Sequence, residues 1–435
     1  MRQAYAASLM MVLMTVALSG CLGGDDDSGF TQADVDAATA AGNDAGYAAG
    51  ETAGYTAGET AGYTAGFTAG SGDPNATVIT PADVAAALAE GEAAGYTAGM
   101  AAGLDTGSTL DAIITAGTMK CGVKTSQFAM GYLDENGVRS GLDIEYCRAL
   151  AAAIGLDPDT DIEYVLATGS NRFALLASGD IDVLIRTTTW TTSRDADLNA
   201  DFAGINFFDG QGMLVNLDAH PGATSIMELD GATVCVGIGT TTEGNLADYF
   251  TVNSLSYTAV NSADADTAKA SFINEECTAW TGDMSAMVAQ KYGLEQGSGQ
   301  SFPMGIMSEL MSKEPLAAAT RDNDDDWNDV VAWVWYGMLT AEELGIDSSN
   351  YAAANLSDPS LNRLLNSTLG LGTETNPLSQ TWMQDVLATS GNYYEAYDRS
   401  FCDGAGTMSN CLIERAGTQN APHWEGGLQY APPMR

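Results

Sequence analysis

Past residue 107 the apolar positions of the chain fall into two alternating periods. Short runs with strand character lie at 119–124, 162–166 and 181–185, and between them the three-to-four spacing of an amphipathic helix runs through 141–154 and 172–177. A second set opens with a strand at Ala232-Thr-Val-Cys-Val-Gly. It continues through a helix at 243–250, a strand at 277–281 and a helix at 284–291. Strands that alternate with helices at this spacing predict a mainly parallel sheet covered on both faces, and two sets of similar size predict two α/β lobes. From Trp327 onward helical patterns dominate, among them 327–339 and 381–389, which predicts a helical C-terminal extension.

Neither period is present between 25 and 107, where Ala, Gly, Thr and Asp replace Leu, Ile and Val. Inside this stretch the words Ala-Gly-Tyr-Thr, Ala-Gly-Glu-Thr, Ala-Gly-Tyr-Thr and Ala-Gly-Phe-Thr follow one another from Ala53 to Thr68, with a further copy at Ala94. A glycine every fourth residue costs a lone helix about 1 kcal/mol each relative to alanine, so the segment reads as a mobile tether. The same spacing aligns the glycines with Tyr55, Tyr63 and Phe67, which leaves a glycine-zipper helix with a partner as the alternative. Ahead of the tether, Arg2 precedes an apolar run over 6–18 that is too short to span a bilayer and ends in Leu18-Ser-Gly-Cys21. This is a lipobox: residues 1–20 are expected to be a signal peptide and Cys21 the lipid-modified residue, holding the protein to the outer face of the cytoplasmic membrane, or in the periplasm, without crossing the bilayer.

Charge narrows the partners. With 57 acidic against 16 basic residues the formal net is −41, a surface that repels nucleic acid and anionic head groups and favours solubility. Cys21 aside, six cysteines remain, and an even number in an exported chain predicts disulfides. Six cysteines allow fifteen pairings, but Cys121 with Cys147, Cys235 with Cys277 and Cys402 with Cys411 form three sequence-local couples. There is no Cys-x-x-Cys, and His220 and His423 are the only histidines, so neither a zinc site nor a His-based triad is expected. No metal, cofactor or catalytic residue is assigned.

Several words then carry a resemblance: Gly117-Thr-Met-Lys-Cys-Gly-Val, Gly141-Leu-Asp-Ile-Glu-Tyr-Cys-Arg-Ala, Arg186-Thr-Thr-Thr-Trp-Thr-Thr-Ser-Arg194, Asp209-Gly-Gln-Gly, Val234-Cys-Val-Gly-Ile-Gly-Thr-Thr-Thr-Glu243 and Ser312-Lys-Glu-Pro-Leu. In order and over roughly 108–435, the chain resembles the general L-amino-acid-binding group among the polar amino-acid-binding proteins of ABC importers; the tether and the block 402–424 lie outside the pattern. The resemblance implies the two-lobed, periplasmic-binding-protein-like α/β fold of type II, whose lobes are joined by two crossing strands near 207–213 and 301–307. The layout is then lobe 1 at 108–210 with 300–345 returning to it, lobe 2 at 211–299 and the extension at 346–435. It implies a monomer that binds a free L-amino acid in the cleft and presents it to a membrane permease.

The implied site follows amino-acid chemistry. A guanidinium grips a carboxylate through two parallel hydrogen bonds, so Arg194, ending the Thr-rich word, is expected to hold the α-carboxylate with Thr187 and Thr189 beside it. Gly239 and Thr240 open a helix whose first N–H groups favour an anion. Asp283 matches the acidic partner of the α-ammonium. Ser170 and Arg172 are expected at the side-chain pocket, with Phe128 as an aromatic wall and Arg186 also near the cleft. Selectivity is expected to be broad, with Glu, Asp, Gln or Asn included. Two other functions use the same features: an enzyme of the dehydratase or lyase type on this fold, and a surface interaction lipoprotein whose working part is the tether.

Overall fold

The computed structural model describes residues 108–297 and 302–435; the expected signal peptide, Cys21 and the repeat tether lie outside them. The chain enters through α1 (Thr109–Ala116) and β1 (Met119–Val123). A small hairpin sheet follows, of β2 (Ser126–Gln127), β3 (Gly131–Leu133) and β4 (Arg139–Ser140), and leads into α2 (Leu142–Ala153). Gly141 makes that entry possible: its φ is +113°, and a Cβ there would stand 2.2 Å from the Met130 carbonyl oxygen. Then come β5 (Ile162–Leu166), α3 (Arg172–Ser178), β6 (Val183–Leu184), α4 (Thr192–Asp197) and the long β7 (Ala200–Asp209).

Gly210 is the single residue between β7 and β8 (Gln211–Asn216), where the chain passes into the second lobe. That lobe is built from β9 (Ala232–Gly237), α5 (Thr241–Val252), β10 (Tyr257–Ser262), α6 (Ala265–Ile273), β11 (Ala279–Asp283), α7 (Met284–Gln296) and β12 (Met304–Ile306). The chain returns through β13 (Glu314–Arg321) to α8 (Asp325–Glu343), α9 (Pro359–Leu365), α10 (Trp382–Thr389) and α11 (Tyr393–Phe401). Because β12 still pairs with β8, the second crossing falls at 307–313, later than the sequence words imply.

Each lobe has one five-stranded sheet, in the orders β5-β1-β6-β13-β7 and β10-β9-β11-β8-β12. The sheets are more mixed than expected. Four strands in each run the same way, but the crossing chain enters β13 and β8 against their neighbours, and those pairings are antiparallel. The three disulfides join the sequence-local couples: Cys121 with Cys147, Cys235 with Cys277, and Cys402 with Cys411.

The C-terminal helices share the core of lobe 1. Trp327 and Trp335 of α8 and Trp382 of α10 are fully buried, and the Tyr146 hydroxyl of α2 donates to the Val331 carbonyl at 2.6 Å. A buried bidentate pair, Arg415 with Glu342 at 2.6 and 2.9 Å, fixes the tail. The tail then covers the outer edge of β7: Asn420 Oδ1 accepts from the Phe208 N–H at 2.7 Å while its Nδ2 donates to the Phe208 carbonyl at 2.9 Å. Gln429 Nε2 donates to the Asn206 carbonyl at 3.2 Å. The strand that carries the hinge is thereby held on both sides. Among the described residues no helix is long and apolar enough to cross a membrane.

Candidate ligand-binding site

Between the lobes lies a cleft of about 810 Å³, its open mouth included. Its walls come from the turns after β1, β6, β9 and β11, where strands end and backbone groups are free of the ladder. The lobes touch on both flanks. On one, Gln127 Nε2 donates to Ser285 Oγ at 3.0 Å, Gln290 Nε2 to the Ser126 carbonyl at 3.1 Å, and Phe128 stacks on Tyr292 at 5.3 Å. On the other, Gly169 lies so close to the second lobe that a Cβ would meet the Ile238 carbonyl oxygen at 3.1 Å.

Arg194, Arg172, Thr187, Thr189, Thr240 and Asp283 all line this cleft. Arg194 sits in the first turn of α4, whose N-cap Thr191 accepts from its backbone N–H at 3.3 Å. Its Nη1 donates to the Thr189 carbonyl at 2.9 Å, which aims the fork at the cleft. The ring of Phe173 lies under two guanidiniums, 5.7 Å from Arg194 and 5.2 Å from Arg172, and packs them in place. Burial lowers both arginine pKa values; Glu314 and Asp283 oppose this for Arg194, while the charges of Arg186 and Arg194 deepen it for Arg172.

Asp283 is the N-cap of α7, yet its side chain makes no capping bond. Asp209, at the end of β7, supplies the cap instead: both its carboxylate oxygens lie 3.3 Å from the Ser285 N–H. The hinge strand thereby caps the second lobe's helix and leaves Asp283 to the cleft. Burial, then the neighbouring Asp283 charge, pushes Asp209 up to about 7. Asp283 is also raised by burial, with Lys124 and Arg186 acting against the rise.

Three expected residues lie elsewhere. Ser170 is exposed and bonds Thr168 Oγ1 at 3.2 Å. Gly239 is exposed on the rim, where its carbonyl accepts from Arg172 Nη2 at 3.5 Å. Phe128 bridges the lobes outside the cleft through Tyr292 and packs against Tyr132 at 5.6 Å. Other residues were not read from the sequence: Lys124 and Gln127 on the cleft wall, and Asp143 and Glu314 behind it. Lys124 Nζ donates to Gln127 Oε1 at 2.6 Å, and burial with the Arg186 charge lowers it to about 7. Asp143 is fully buried and raised to about 6 by that burial, against the pull of Lys124 and Arg186. Asp143 lies within the second matching word, which was the one available signal for it.

Residues 119–382 match the model of the bacterial extracellular solute-binding proteins, family 3. The chain belongs to this family. Among its relatives, the glutamate/glutamine/aspartate/asparagine-binding protein BztA of Rhodobacter capsulatus is 40% identical over 330 residues, 75% of this chain and 94% of that one. The general L-amino acid-binding periplasmic protein AapJ of Rhizobium johnstonii is 36% identical over 331 residues, 75% and 93% of the two chains. Of solved structures, an ABC transporter periplasmic binding protein from Brucella ovis with glutathione bound is 36% identical, with a TM-score of 0.68 over 76% of this chain and all of that one. This family-3 solute-binding protein thus has the two-lobed type II fold, with its cleft at the seam of the lobes.

Proposed function

We propose that the protein is an extracytoplasmic amino-acid-binding lipoprotein of an ABC import system, taking L-amino acids with acidic or amide side chains among its ligands. One observation carries this reading: Arg194 from the first lobe and Asp283 from the second meet across a single cleft. An α-amino acid presents one carboxylate and one ammonium on the same carbon, and such a pair of opposite charges on opposite lobes complements it. Binding then draws the lobes together, and a permease can recognise the closed form. Arg172 and Arg186 add cations beyond the α-carboxylate site, which supports side chains bearing a carboxylate or an amide oxygen. BztA is named for glutamate, glutamine, aspartate and asparagine, which supports this ligand class. AapJ is named for L-amino acids in general, which supports a broad range, and both are named as binding proteins, which favours capture over turnover.

Anchoring rests on the lipobox at Cys21, so Cys21→Ser should abolish lipid labelling. The ligand class is tested by thermal unfolding of the purified protein with each of the twenty L-amino acids, since a ligand at 100 times its Kd stabilises by about 2.7 kcal/mol. Glu, Asp, Gln or Asn should raise the melting temperature. A melting temperature indifferent to all twenty refutes the reading.

A further inference from the structure

Glu314, behind the cleft, accepts hydrogen bonds from neutral side-chain donors of both lobes. It opens β13, pairs in register with Asp209 beside the crossing strands, and is 2% exposed. Its Oε2 accepts from Thr189 Oγ1 at 2.5 Å and from Thr241 Oγ1 at 3.0 Å. Its Oε1 accepts from Asn245 Nδ2 at 2.8 Å and from Ser312 Oγ. Among the described residues no Lys, Arg or His nitrogen reaches it at ion-pair distance. Thr241 and Asn245 stand one turn apart on α5, in the second lobe, whereas Glu314 and Thr189 belong to the first. One buried side chain therefore joins the two lobes.

The polarity of these bonds has a consequence for the ligand. A carboxylate accepts and has no proton to give, and each threonine hydroxyl has one. With both protons directed at Oε2, Thr189 and Thr241 offer only lone pairs to the cleft they line. We infer that Glu314 is a positioning residue that clasps the lobes behind the ligand and fixes the Thr189 and Thr241 hydroxyls as acceptors for the ligand's α-ammonium. The α-carboxylate is then left to Arg194 and to the backbone N–H groups at the start of α5. The inference rests on the amino-acid reading above.

Glu314→Leu removes every acceptor at this position, so the Thr189 and Thr241 protons are freed to turn toward the cleft. Glu314→Gln is the conservative counterpart: its amide oxygen can still accept from both threonines while its nitrogen donates to Ser312 Oγ and to a turned Asn245 amide. With the best amino acid, Glu314→Leu should weaken binding roughly ten- to a hundredfold, carried by faster dissociation. Glu314→Gln should stay within about threefold of the parent. A second readout is the preference for the amino acid over its des-amino analogue. That preference should shrink in Glu314→Leu and persist in Glu314→Gln, whereas a loosened fold would weaken both ligands alike. Parent-like binding by Glu314→Leu, an unchanged preference, or an equal loss in Glu314→Gln would overturn the inference alone. A parent that binds no amino acid would overturn the functional reading, and this inference with it.

Discussion

Replacing Arg172 by alanine should separate acidic from amide ligands. The side chain is 3% exposed, its Nε has no hydrogen-bond partner, and its Nη2 reaches the Gly239 carbonyl only at 3.5 Å. Burial, and then the charges of Arg186 and Arg194, hold its pKa well below the ordinary arginine range. A desolvated cation beside two like charges thus lines the cleft, and a second ligand carboxylate would relieve it. Truncating one partner of a buried charge pair costs about 2–5 kcal/mol, or roughly thirtyfold to several thousandfold in affinity for glutamate or aspartate. An amide in the same place gives up a neutral hydrogen bond of about 0.5–1.5 kcal/mol, roughly two- to twelvefold for glutamine or asparagine. Titration calorimetry of Arg172→Ala with each ligand reads the ratio, and the unliganded melting temperature reports on folding. Equal losses for the acid and the amide, or no loss for either, would refute the placement of Arg172 against the side-chain carboxylate.

Two further predictions concern closure and pH. Gly169→Val places branched carbon where a bare Cβ would already stand 3.1 Å from the Ile238 carbonyl and 3.2 Å from Thr240 Cγ2. Strain of about 1–3 kcal/mol in the closed form should weaken all ligands alike, by roughly five- to a hundredfold, and small-angle scattering should show incomplete closure; parent-like affinity would contradict this. Asp209 is raised from 3.8 to about 7, so within that window the folded state holds a proton the unfolded chain has released, and stability falls as pH rises. Asp209→Asn lacks that term: its melting temperature relative to the parent should climb from about pH 4 to pH 7 and then level off. A difference that stays constant across this range would refute it.

What was legible in the sequence follows from what is local. β5 at Ile162–Leu166 matches the predicted run, and α2 differs from its prediction by one residue at each end, because pattern and boundary glycine coincide. The two-residue strands β2 and β4 carry no readable period, and α6 has too weak an apolar stripe among its alanines to register as a helix. Residues on a strand-to-helix turn, such as Thr189, Arg194 and Asp283, were readable because the turn sets their direction. Asp209 and Glu314 were not, since each acquires its role from a partner far along the chain, Ser285 and Thr241 respectively, and Lys124 was not, since its place on the cleft wall comes from burial by the folded lobes. Phe128 shows the opposite failure. Its place beside β1 suited a cleft wall, but a stacking partner in α7, Tyr292, draws it to the flank.

The proposed mode of binding pairs Arg194 and Asp283 with the two charges of one α-carbon. Calorimetric titration of Arg194→Ala and Asp283→Ala with the best amino acid tests it most directly. Each substitution leaves a ligand charge buried without its partner, a cost of about 3–5 kcal/mol, or roughly two to four decades in affinity. Arg194→Lys should bind poorly as well, since a point charge does not reproduce the bidentate fork. These losses are expected in proteins whose unfolding without ligand stays close to the parent's. Binding by both alanine variants within about threefold of the parent, well under the tenfold that 1.4 kcal/mol represents, would contradict it.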